Sequence, residues 1–148
     1  MQKAYKLSIL YYLAFTLLLI TSAIMLFENK IGFNITSILQ YYIGNEENFI
    51  PSKSFIGILK IIKPHIFVFG LISMVLLHFL VFTSLRFKKS TIVLIYMTFI
   101  TALLEMFTPL FIIQGYEFFA YIKLLSFFMF LVLITYILWL LFYSITYD

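Results

Sequence analysis

Four long apolar runs divide the chain: Leu7–Phe27, Ile66–Leu85, Thr91–Ile113 and Phe118–Tyr143. Each is long enough to cross a bilayer, which takes about 20 helical residues at 1.5 Å rise. None alternates apolar and polar positions as a membrane strand would. Backbone polar groups in lipid must be satisfied within their own segment, so every run predicts a helix. Very short connections, Arg86–Ser90 and Gln114–Glu117, make the last three runs antiparallel neighbours. The pattern predicts an all-α, up-down four-helix transmembrane bundle, with residues 1–148 forming one membrane domain. Pro109 is expected to kink the third run near its end.

The first run invites a signal-peptide reading, because Lys3 and Lys6 precede it and Thr21-Ser22-Ala23 offers small residues. Its apolar stretch runs well past the 7–15 residues of a signal core, so it is read as a retained helix. The stretch 28–64 is the one substantial connection. Ser52 or Ser54 can cap a helix over residues up to Lys63, apolar on most sides and carrying Lys60 and Lys63. Ile35, Ile38, Leu39 and Tyr42 are spaced for a second short helix. Segments this apolar lie in the membrane interface rather than in water, which makes the loop a membrane-hugging lid.

Composition agrees. The chain is 64% hydrophobic and 11% charged, with a mean hydropathy of +1.11. A water-facing surface needs about 25% charged residues, so a soluble globular enzyme is excluded. Disorder is excluded too, because disordered segments lack apolar and aromatic residues. Without Cys there is no disulfide, thiolate metal site or thiol nucleophile. The net charge of +4 does not point to nucleic acid, because its basic residues flank apolar runs. There they act as topology signals.

Lys3 and Lys6 fall on the same side as Arg86, Lys88 and Lys89, in the shortest segments, where basic bias is most informative. N-in and C-in follows, with loop 28–64 outside and the bacterial inner membrane as the expected location. Trp139 with Tyr136, Tyr143 and Tyr147 reads as an interfacial aromatic belt. Glu46 and Glu47 read as solvated loop carboxylates.

Ionisable groups within a span are costly and are functional candidates. They are His78, Glu105 and Lys123, with His65 at the mouth of the second run. Counted from the turn at Gln114–Tyr116, Glu105 lies about ten residues before and Lys123 about eight after. An antiparallel hairpin brings them to similar depth as an ion pair or hydrogen-bonded cluster. His65 and His78 are thirteen residues apart, about 20 Å along the axis, and about 140° apart around it. The axial gap is similar to that of paired haem ligands in cytochrome b-type bundles. The resemblance implies haem b with His65 and His78 as axial ligands, but two bis-His haems need four histidines. Thr98, Thr101, Ala102 and Thr108 in the third run, with Gly70 and Ser73 in the second, read as small-residue packing between helices.

The leading functional expectation is a non-catalytic subunit or accessory protein, contacting lipid bilayer and forming a homo-oligomer or part of a larger membrane complex. Catalytic groups are too sparse to favour an enzyme. A b-type haem protein using His65 and His78 is one alternative. A proton or solute pathway through Glu105, Lys123 and His78 is another.

Overall fold

A computed structural model of the chain describes residues 3–81, 83 and 89–147, the side chains of Lys3 and Tyr147 excepted. Five helices follow in order: α1 (Lys3–Lys30), α2 (Ile35–Ile43), α3 (Phe55–Val81), α4 (Lys89–Ile112) and α5 (Phe118–Tyr147). Four of them, all but α2, are long and apolar enough to cross a membrane. The fold is the all-α transmembrane bundle that the apolar pattern predicts. Arg86 and Lys88, which carry part of the topology argument, lie outside the described residues.

Local chemistry sets the helix ends. Gly32, at φ +85°, closes α1, with its N–H and that of Ile31 both donating to the carbonyl of Phe27. Asn34 then caps α2 by accepting from the N–H of Thr36 at 3.2 Å. Ser54, rather than Ser52, caps α3, accepting from the N–H of Gly57 at 3.1 Å. The α4–α5 turn closes at Gly115 (φ +92°), where the N–H of Tyr116 reaches back to the carbonyl of Phe111. This is the terminating pattern expected of a left-handed glycine after a helix.

Of the two short helices expected in the loop, α2 forms as a separate element. The other is continuous with the span, so α3 starts at Phe55 and runs straight through Pro64. Proline removes one helical hydrogen bond, yet such helices persist in membranes where side chains re-satisfy the freed groups. Here His65 Nδ1 donates to the carbonyl of Ile61 at 2.7 Å, one position from the carbonyl that Pro64 cannot serve. Pro109 likewise sits inside α4, buried.

The loop beyond α2 is tightly wound. Gly44 sits at φ +90°, and a Cβ there would come within 2.6 Å of the Ile50 carbonyl oxygen and 2.7 Å of the Ser52 nitrogen. Asn45 and Ile50 exchange two backbone hydrogen bonds, and Lys53 N–H donates to the carbonyl of Tyr42. Glu46 and Glu47 are exposed on the tip.

α5 is the hub, packing against each of the other four helices and most extensively along α4. Two apolar clusters form. At the end carrying the termini, Ile9, Leu13, Leu76, Leu80, Leu94, Ile134 and Leu141 are buried together. At the loop end, Phe27, Ile38, Tyr42, Ile58, Ile112 and Phe127 form the second cluster. Ser73, Thr98, Thr101, Ala102 and Thr108 are buried as the small-residue pattern predicts. Gly70 departs from it: the residue is exposed, with open space where a Cβ would stand. On α5, Trp139 stacks on both Tyr136 and Tyr143 with centroids 6.0 Å apart.

Candidate functional site

The α4–α5 hairpin brings Glu105 and Lys123 into contact, buried to 4% and 5% exposure. Lys123 Nζ donates to Glu105 Oε1 and, at 2.7 Å, to the Glu105 main-chain carbonyl. The pair sits where the two apolar clusters meet. Met106, the neighbour of Glu105, belongs to one cluster, while Ala120 and Phe127, on either side of Lys123, belong to the other. Such a pair needs its remaining lone pairs satisfied to offset desolvation. It is incomplete: Glu105 Oε2 is buried and has no hydrogen-bond partner among the described residues.

Beside the pair lies a cavity of about 540 Å³. This falls within the 300–1,000 Å³ typical of small-molecule sites. One wall is α1, from Thr16 to Lys30, and the facing wall is α3, from Ile58 to Ile72. Glu105, Lys123, Phe127 and Phe130 line it from α4 and α5, and Tyr41 and Tyr42 of α2 line its loop end. Several wall residues, including Leu19, Leu26 and Val68, are also exposed on the helix surfaces. The cavity is thus a partly open cleft between α1 and α3, two helices of membrane-spanning length. Lys30 and Lys60 line it as well and are exposed.

Its walls are aromatic. Phe27 stacks on Phe127 at 4.0 Å, and Phe69 stacks on Phe130 at 4.6 Å. His65 lines the cleft, with its ring edge-on to Phe69 at 5.6 Å. The neighbouring carbonyl of Ile61 can only accept, so Nδ1 carries a proton, and in that tautomer Nε2 is left as an acceptor. Burial, then the charge of Glu105, then Tyr41, push the Tyr42 phenol above its ordinary range.

The structure therefore unites three of the four candidates, Glu105, Lys123 and His65, around one cavity. His78 is exposed on α3 near the opposite end of the helix and does not line it. His65 and His78 are not brought to one site. Tyr42 was missed as a site residue. Its helix was legible from apolar spacing, but nothing in that spacing shows that the phenol packs toward a carboxylate on α4.

Helix composition and length together define a polytopic, multi-pass integral membrane protein, with a cleft among its helices. Residues 32–148 match the Aq_1264_TM family, a transmembrane helical domain, and the chain belongs to that family. The match takes in α2 to α5, while α1 precedes it. No curated protein and no solved structure matches the chain.

Proposed function

We propose that this is a non-catalytic membrane protein that takes a lipophilic molecule from the bilayer into the cleft between α1 and α3. The observation that carries this reading is the cleft itself: apolar and aromatic walls, a partly open side, and a buried ion pair at its base. Binding sites for small molecules share this make-up of mostly apolar lining with few convergent polar groups. The protein would act as an accessory component, holding its ligand for itself or for a larger membrane complex. The apolar outer faces of α1 and α3 are the surfaces such contacts would use. The expected setting is a bacterial inner membrane, N-in and C-in with the loop outside, supported by Lys6 and Lys89 lying at the same end of the bundle.

This reading uses Glu105, Lys123 and His65 without asking for a continuous proton path, which would have to draw in His78 from outside the cleft. It also leaves haem ligation by His65 and His78 dependent on ligands from another copy or subunit.

Native mass spectrometry of the detergent-purified protein, offered a bacterial lipid extract, tests the proposal. One lipophile of mass suited to the cleft should stay bound per chain. Ala23→Trp, on the α1 wall, should remove it while circular dichroism stays unchanged. Retention of nothing by the native chain, or full retention in a folded Ala23→Trp variant, would overturn the reading.

A further inference from the structure

We propose that the cleft recognises a hydroxylated aromatic lipophile, a quinol, through two hydrogen-bond acceptors, Glu105 Oε2 and His65 Nε2. The inference rests on the ligand-holding reading above and names the ligand class of that same site. Its starting point is a mismatch. A buried carboxylate oxygen without a donor keeps its desolvation cost uncompensated, and the described residues provide no donor for Glu105 Oε2. A ligand hydroxyl would supply one. His65 adds a second acceptor on the same cavity, because its Nδ1 proton is committed to the carbonyl of Ile61.

Two acceptors select donors. A para-dihydroxy aromatic ring carries two O–H donors on a flat apolar body, and the stacked pairs Phe27–Phe127 and Phe69–Phe130 offer flat aromatic walls. An isoprenoid or alkyl tail would leave through the open side of the cleft, between α1 and α3. The oxidised quinone fits less well. It has only acceptor oxygens, and these would face Glu105 Oε2 and His65 Nε2, lone pair against lone pair. Lys123 spends two of its three N–H groups on Glu105. The third can serve one quinone oxygen, so discrimination should be moderate rather than absolute. Sites built to bond a substrate hydroxyl reject the analogue lacking it because their own polar groups are left unpaired. No electron transfer is part of the proposal, which concerns binding only.

Equilibrium dialysis of the full chain in detergent, under argon, against decyl-ubiquinol and decyl-ubiquinone tests it. The quinol should bind about tenfold more tightly or better. Glu105→Gln should shift the preference toward the quinone, because the amide presents a donor where the carboxylate presented an acceptor. His65→Phe, on an exposed position that leaves the core intact, should narrow the ratio and serves as the variant that keeps its fold. Equal binding of the two forms by the native chain overturns the proposal. So does an unchanged ratio in His65→Phe. Failure of both forms to bind, while a lipid is still retained in native mass spectrometry, overturns the quinol class and leaves the ligand-holding cleft standing. Failure to retain any lipophile removes both.

Discussion

The α4–α5 hairpin and the pair α1 and α3 are built from the same kinds of residue and yet behave as different materials. In their membrane-spanning windows α4 and α5 bury 44% and 39% of residues, whereas α1 and α3 bury 17% and 22%. The buried ion pair is on the hairpin. The thinly buried helices form the walls of the cleft. Close packing is what lets a membrane protein hold two charges in a low dielectric, since their geometry must be kept tight to offset desolvation. A wall that touches the rest of the protein on one side only can admit a molecule from lipid. The molecule thus divides a rigid polar floor from permissive apolar walls.

The most severe way to break this contrast is to remove one partner of the buried pair. Lys123→Ala and Glu105→Ala should each lower stability by about 3–5 kcal/mol, because each leaves an uncompensated buried charge. Denaturant unfolding followed by circular dichroism in detergent reads the loss. The double variant Glu105→Leu with Lys123→Met should recover most of it, since an apolar pair of similar volume is often neutral. If the single variants unfold at the native midpoint, the hairpin does not depend on the pair.

A smaller effect is expected at the turn that follows α2. Gly44→Ala places a Cβ within 2.6 Å of the Ile50 carbonyl at φ +90°. A loss of about 1–3 kcal/mol follows from strain of that kind. Gly70→Ala is the matching control on an open helix face. It should be neutral or stabilising by at most about 1 kcal/mol, as alanine is the better helix former. Thermal midpoints of the two variants side by side check both. A Gly70→Ala variant that loses stability, or that changes mass in size-exclusion with light scattering, would show that α3 packs closely against another chain there.

Much of the floor is legible in the sequence. Counting outward from Gly115 puts Glu105 and Lys123 level, because a tight turn between two antiparallel helices converts sequence distance directly into depth. The walls were not legible in the same way. Pro64 reads as a boundary, yet α3 passes through it, because a proline costs a membrane helix one hydrogen bond and not its continuity. Apolar periodicity cannot say which faces of α1 and α3 stand apart, because lipid and protein neighbours ask for the same side chains. Gly70 shows the difficulty: a small residue in a span suggests close packing, and here its face is open. The cleft is a relation among five helices, and no local pattern encodes it.

The last test probes the meeting of floor and loop, and at neutral pH it should show nothing. Tyr42 is fully enclosed on α2, and its phenol is held above the ordinary range by burial and by the charge of Glu105. In the unfolded chain the phenol ionises near pH 10. Between that point and the higher folded value, the unfolded state has released a proton that the folded state still holds. Stability must therefore fall as pH rises past about 10, and it is unaffected below. Other groups titrate in that range, so the native chain alone decides little. Tyr42→Phe removes only this contribution and keeps the ring. Its thermal midpoint should match the native one at pH 8 and fall less steeply between pH 9.5 and 11. Parallel curves for the two proteins would mean that α2 opens readily enough for Tyr42 to meet water. The loop end of the cleft would then belong with the permissive walls and not with the rigid floor.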